Sequence, residues 1–332
     1  MSHWIWAAAG MLAASVEPPA APPTSVSEPA ELPKPATLPT TEPSLLPPDD
    51  IVEGRTDYYD RMTVPVTISG EGPFRFMIDT GAQATVITRG LSEKLKLPTI
   101  GSAVVVGMGS REDVELVQLD GLEFADRTLG DIAAPLLEAR NVGADGILGL
   151  DSLQDMRVMI DFRSQTIAVN DASALGGNSG YEIIVRARRK LGRLIIANAT
   201  IDGVRTAVVI DTGAQSSFGN LKLQKRLRGA RNRVEVSSQD VNGAVIIGKR
   251  HYAKRFQIQG LQLNNMPITF AESPAFAALG LSERPAIIMG MRDLRLFNRV
   301  AIDFEKRQVL FDLPTGSKNH RGVRQQFQAT RL

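Results

Sequence analysis

Cysteine is absent from the 332 residues. Disulfides, thiolate zinc sites and a cysteine nucleophile are thereby excluded, while the compartment stays open. Histidine is scarce: His3, His251 and His320 are all there is, and none is spaced from another as metal ligands usually are. A serine–histidine triad would rest on His251 or His320, and no Gly-x-Ser-x-Gly elbow accompanies them. Net charge is small, at +2, and argues for no nucleic-acid partner. The basic stretches Arg186 to Arg193 and Lys222 to Arg233 read as solvated surface, the alternative being a polyanion-binding face. The apolar run Trp4 to Ala14 falls short of the roughly 20 residues a membrane-spanning helix takes. It ends in the small residues Ala13, Ala14 and Ser15, the pattern of a cleaved secretory signal, although no Lys or Arg precedes it. Residues 1–16 are therefore read as a signal peptide. The protein is expected to be exported, periplasmic or secreted, or membrane-tethered where the segment stays uncleaved. With no cysteine after the run, lipid attachment there is excluded.

What is present points to a globular core. Apolar residues make up 43% of the chain, enough for one large or two small domains. Residues 17–50, rich in Pro, Ala, Thr, Ser and Glu, read as an extended linker. From Ile51 the chain reads as short strands with turns between them. Met62 to Ser69 alternates, with Val64, Val66 and Ile68 on one face. A Gly70 to Pro73 turn is expected to lead into Phe74 to Ile78. The hexapeptide Ile-Asp-Thr-Gly-Ala-Gln then appears at Ile78 to Gln83, and again at Ile210 to Gln215. Each copy follows an apolar run. The second half repeats the order: a strand over Leu194 to Ile201, an Asp202-Gly203 hairpin turn, and Val204 to Ile210. Beyond the aspartates, Gly149 matches Gly290, and Asp161 matches Asp303 in a repeated Ile-Asp-Phe. A period this long is a duplicated lobe rather than a solenoid repeat. The lobes are placed at 51–172 and 181–315, with a glycine-bearing spacer at Asp171 to Gly180 and a basic tail at 316–332.

Strand, Asp-Thr-Gly-Ala, strand, a glycine-bearing hairpin, then apolar-apolar-Gly before a helix resembles the aspartic proteases, over roughly Ile51 to Leu313. Asp145 to Leu150 is similar to the pepsin-like enzymes. Ala82 and Ala214 after Asp-Thr-Gly, with the short lobes, look more like the retroviral type. The match is to bacterial retropepsin-like aspartyl proteases, here as two fused lobes. The resemblance implies a mainly β, acid-protease fold. It would consist of two homologous six-to-seven-stranded lobes with short helices, related by a pseudo-twofold axis around a shared cleft. It also implies a hydrolase acting in proteolysis, an aspartic-type endopeptidase on a protein or peptide substrate, without metal or cofactor. A monomer with an intramolecular pseudo-dimer is expected rather than a homodimer.

The chemistry agrees with these residue types. Amide hydrolysis needs a base for water and an acid for the carbonyl oxygen and leaving nitrogen. Two carboxylates about 3 Å apart cannot both ionise and so share one proton. Asp79 and Asp211 are the catalytic candidates, titrating as a unit. Gly81 and Gly213 leave room for two turns to press together. Thr80 and Thr212 are expected to hydrogen-bond across the turns, the alternative being a bond to their own backbone. A hydroxyl at position 82 or 214 would lower the carboxylate pKa. Both copies carry Ala, so activity is expected to peak at weakly acidic to neutral pH. Covering flaps are placed at Val104 to Ser110 and Ser237 to Gly243, with Gly107, Met108, Gly109, Asn242 and Gly243 as substrate-binding candidates. Ordinary surface hairpins are the alternative. Asp145, Asp161 and Asp303 read as structural. Rival readings are a catalytically silent peptide-binding module with the same cleft, or lobes that pair between molecules.

Overall fold

The computed structural model describes residues 4–5, 51–53, 55–56, 62–125, 127–190, 192–227, 234–314 and 325–328. The expected signal, linker and basic tail lie outside the described residues, save for short pieces of backbone at 4–5 and 325–328. The Lys222 to Arg233 stretch is described only as far as residue 227.

Strands dominate and form three sheets. The first lobe is built from Met62–Ile68, Glu71–Ile78, Val86–Thr88, Thr99–Val106, Arg111–Leu119, Leu122–Phe124, Arg127–Leu129, Ile132–Leu137 and Gly146–Leu148. Alternation in Met62–Ile68 puts Val64, Val66 and Ile68 in the core and Pro65 at the surface, as a half-buried strand requires. The second lobe repeats this with Arg193–Ile201, Val204–Ile210, Phe218–Gly219, Val234–Gln239, Val245–Ile258, Leu261–Phe270 and Ala286–Met289.

One turn falls elsewhere than the sequence reading put it. The hairpin after Ile68 closes at Ser69 and Gly70, both with positive φ, and Glu71 to Pro73 already belong to the next strand. Pro73 is tolerated because Glu71–Ile78 pairs with Gly146–Leu148 only from Phe76 onward, which leaves Pro73 with an open edge.

A six-stranded sheet joins the lobes. Each half contributes three strands: Ile51–Glu53, Arg157–Asp161 and Thr166–Asn170 from the first, Ile183–Arg186, Arg299–Asp303 and Gln308–Asp312 from the second. At its centre Arg157–Asp161 runs antiparallel to Arg299–Asp303, with Arg157 opposite Asp303, Met159 opposite Ala301 and Asp161 opposite Arg299. The repeated sequences thus meet about a local twofold axis. Val158, Ile160, Val300 and Ile302 join the main core on one face. Met159 and Ala301 pack on the other face with Leu175 and Tyr181, so the segment between the lobes is packed against the sheet. Arg157 and Asp303 form an ion pair at 2.7 Å with both side chains fully buried. Arg157 also donates to the Gly177 carbonyl and to Asn178 Oδ1, tying down that segment. Asp303 accepts from the Lys306 amide as well, and Asp161 accepts from the Arg163 and Ser164 amides.

Candidate active site

Each Asp-Thr-Gly turn is framed by three strands. In the first lobe Gly146–Leu148 lies parallel to Glu71–Ile78 and antiparallel to Val86–Thr88. In the second, Ala286–Met289 lies parallel to Val204–Ile210 and antiparallel to Phe218–Gly219. The inserted strand fixes where each turn begins and ends. The Asp79 amide donates to the Leu148 carbonyl and the Asp211 amide to the Met289 carbonyl, both at 3.0 Å. A Cβ on Gly149 would lie 2.4 Å from Ala84 backbone, and one on Gly290 2.6 Å from the Ala214 carbonyl oxygen. Only glycine lets the strand end pass this close to the turn.

The two turns meet face to face. Asp79 Oδ1 accepts from the amides of Gly81 at 2.7 Å and Ala82 at 3.0 Å. Asp211 Oδ1 accepts from Gly213 at 2.9 Å and Ala214 at 3.0 Å. A Cβ on Gly81 would sit 2.4 Å from Asp211 Oδ2, and one on Gly213 2.2 Å from Asp79 Oδ2. Each carboxylate therefore lies against the glycine of the other turn. Thr80 Oγ1 donates to the Ile210 carbonyl at 3.0 Å, and Thr212 Oγ1 to the Ile78 carbonyl at 2.7 Å. Each hydroxyl also accepts the other threonine's amide. This reciprocal set spans 132 residues of chain and fixes the distance between the carboxylates.

Both aspartates are buried. Burial pushes Asp79 up to about 6, against the downward pull of its hydrogen bond with Asp211, the Gly81 and Ala82 amides, and Arg193. Burial and the neighbouring Asp79 charge hold Asp211 well above the usual carboxylate range. Among the described residues, no amide, hydroxyl or guanidinium group donates to Asp79 Oδ2. A proton shared with Asp211 is what that oxygen can accept, since two buried carboxylates in contact cannot both ionise.

Arg193 corrects the reading of Arg186 to Arg193 as solvated surface. Arg188–Lys190 is exposed as expected, but Arg193, at the start of the next strand, is only 2% exposed. Its Nε and Nη2 donate to the Gly81 carbonyl at 2.8 and 2.5 Å. A signal existed: Arg193 precedes Asp211 by the same interval as Arg61 precedes Asp79. Arg61 lies outside the described residues.

A second device is repeated in both lobes. Asp151 accepts from the Thr85 hydroxyl at 2.6 Å, and that hydroxyl accepts from the Gly149 amide. Asp293 accepts from the Ser217 hydroxyl, which accepts from the Gly290 amide. Each carboxylate thus braces the strand leaving its Asp-Thr-Gly turn, and burial pushes Asp293 up to about 6. Thr85 and Ser217 differ in type, which hides the repeat from simple comparison. Asp145 serves its own lobe, accepting from the Arg75 amide at 2.8 Å.

The hairpin tips at 107–110 and 240–244 meet each other. Asp240 Oδ2 accepts from the Gly109 amide at 3.0 Å and the Ser110 hydroxyl at 2.8 Å. Asn242 Nδ2 donates to Ser110 Oγ at 2.9 Å. Met108 is buried in a cluster otherwise made of second-lobe residues, including Phe218, Ile246 and Ile288. Val241 is buried among first-lobe residues, including Met77, Val86 and Ile147. Each tip thus anchors in the opposite lobe. Gly107 and Gly109 leave room for this, since a Cβ there would lie 2.4 Å from Asp240 and 2.3 Å from Ile246. Gly243, at positive φ, turns the second tip beside Asn141. Of the flap candidates, Gly107, Met108, Gly109 and Asn242 lie at the contact between the tips, and Gly243 shapes its turn. Asp240, Ser110 and Val241, which make much of the contact, were not singled out from sequence.

Among the described residues, no three His, Asp or Glu side chains gather as metal ligands. A surface groove lined by Lys222, Lys225, Phe276 and Glu283 includes neither aspartate. Comparison with curated proteins gives no match. The family model described as aspartyl protease matches residues 64–152 and 197–292, so each match contains one Asp-Thr-Gly turn. Together the two segments span more than half of the chain, and it belongs to the aspartyl protease family.

Proposed function

We propose that this chain is an aspartic endopeptidase in which Asp79 and Asp211 activate water as a pair, one from each lobe. The observation that carries the reading is the placing of two buried carboxylates, each against the glycine of the other's turn, across reciprocally bonded turns. The ionised member takes a proton from water, and the water oxygen bonds to the scissile carbonyl carbon. The protonated member gives its proton to the carbonyl oxygen, forming a neutral diol. A diol hydroxyl then returns a proton to the dyad, the leaving nitrogen is protonated, and the C–N bond breaks. One water is consumed, and the dyad ends with the single proton it began with. Thr80, Gly81, Thr212 and Gly213 keep the carboxylates in place through the contacts described.

Asp79 at about 6 and the missing hydroxyls at Ala82 and Ala214 favour activity at weakly acidic to neutral pH. The closed hairpins must part to admit an extended peptide, and their reclosure shields the reaction from water. Both aspartates come from one chain, which supports one site per monomer. Export guided by residues 1–16 is part of the proposal, and N-terminal sequencing of the mature protein would test it.

The deciding experiment is cleavage of an unbiased peptide library by the full chain at several pH values. Asp79→Asn, Asp211→Asn and a hydroxyl-bearing transition-state mimic run in parallel. Cleavage lost in both variants and blocked by one inhibitor per chain supports the reading. Folded protein that binds peptides without cleaving them at any pH would make it a binding module instead. One inhibitor per chain on a particle of dimer mass, with cleavage restored on mixing the Asp79→Asn and Asp211→Asn variants, would mean sites shared between molecules.

A further inference from the structure

We propose that Arg193 is a positioning residue of the dyad, fixing the Gly81 carbonyl across the lobe boundary and keeping a positive charge beside both carboxylates. The proposal rests on the aspartic-protease reading of the site. Arg193 is buried, yet among the described residues no carboxylate forms an ion pair with it, unlike Arg157 with Asp303. A buried cation needs compensation. Here it comes from the Gly81 carbonyl, reached by Nε and Nη2, and from the negative charge of the dyad, which acts on the guanidinium from Asp79 and Asp211.

Gly81 is the point where both carboxylates can be reached. Its amide donates to Asp79 Oδ1, and its α-carbon faces the Asp211 carboxylate, within 2.4 Å of where a Cβ would stand. Holding its carbonyl therefore holds Asp79 through the turn and Asp211 through packing. Arg193 acts on both Asp79 and Asp211, and in both cases it favours the ionised form. Among the described residues, Lys190 lies opposite it in the hairpin, and Arg188 and Arg189 are exposed on the same strand as Lys190. In the hairpin tips, Asp240 is satisfied by its own hydrogen bonds. A nearby guanidinium favours the ionised form of a carboxylate, so removing the charge should move the titration of the dyad upward.

Three variants of the full chain separate charge from contact. Arg193→Gln keeps a donor for the Gly81 carbonyl and loses the charge. Arg193→Lys keeps the charge and loses the two-pronged bond. Arg193→Met loses both. The readouts are the acidic limb of kcat/KM against pH, the titration of the aspartate carboxyl carbons by NMR, and thermal melting. The expected result is an acidic limb and a carboxyl titration both moved to higher pH in the Gln and Met variants. The Lys variant should stay at the wild-type position with kcat lowered about tenfold or more by the loosened turn. Should the Met variant fail to fold, the comparison of Gln with Lys decides. Carboxyls titrating as in wild type in a folded Gln variant would overturn the proposal, as would an equal shift in Gln and Lys. Wild-type protein that cleaves nothing would sink the protease reading alone, because the NMR titration needs no turnover.

Discussion

Replacing Asp211 by Asn should abolish cleavage and stabilise the fold, and the size of the gain should depend on pH. In the unfolded chain both aspartates ionise near pH 4. In the folded protein Asp79 is raised to about 6 and Asp211 is held well above the usual range. A folded pKa raised above the unfolded value gives stability that is complete below the unfolded pKa. It is lost as pH climbs toward the folded one. At pH 6 the folded pair therefore still shares a proton that the unfolded chain has released. Two pH units above the unfolded value, that requirement costs about 3 kcal/mol. Asn has the shape of the protonated acid. Its Oδ1 can accept from Gly213 and Ala214 as the carboxylate does, and its amide can donate to Asp79. The variant avoids the proton requirement, so it should gain up to about 3 kcal/mol at pH 6 and about 1.4 kcal/mol at pH 5, with none near pH 4. Urea unfolding of both proteins at these three pH values measures the difference. Stability curves that run parallel across the range would refute the claim that the dyad holds an extra proton in the folded state.

Three other perturbations test separate parts of the structure. Gly81→Ala or Gly213→Ala drives a methyl group into the partner carboxylate. It should lower kcat by about a hundredfold or more and destabilise by about 1 to 3 kcal/mol, read from kinetics and melting; wild-type kcat would contradict the pressed-turn geometry. Asp303→Asn leaves Arg157 buried without its counter-charge and should cost about 3 to 5 kcal/mol in chemical denaturation. An effect below about 1 kcal/mol would mean that the buried pair does not hold the joining sheet. Asp240→Ala removes the acceptor for Gly109 and Ser110, so amide hydrogen exchange at 107–110 and 240–244 should speed up several-fold while exchange in Val158, Ile160, Val300 and Ile302 stays unchanged. Unaltered exchange at the tips would show that the apolar anchors Met108 and Val241 alone keep the hairpins closed.

What the sequence determined by itself was the part built from local, repeated chemistry. Two copies of Ile-Asp-Thr-Gly-Ala-Gln and the matched Gly149 and Gly290 reported a duplicated β lobe with one carboxylate each. Turn glycines and strand alternation carry that information residue by residue. The alternation in Met62–Ile68 was legible because one face is wet, and the Asp202-Gly203 turn because few other residue pairs adopt its two positive φ angles. The turn at Ser69 and Gly70 was misplaced by two to three residues, since Pro73 usually marks a turn and an unpaired strand edge also accepts it. How the halves engage follows from long-range packing. The reciprocal threonine bonds, the six-stranded sheet about Met159 and Ala301, the exchange of Met108 and Val241 between lobes, and the reach of Arg193 to Gly81 all join residues far apart in sequence. A basic residue next to other basic residues reads as surface until the fold shows which carbonyl lies within its reach. Burial, the quantity that raises Asp79 to about 6, depends on what every other segment packs against it, and no local pattern records that.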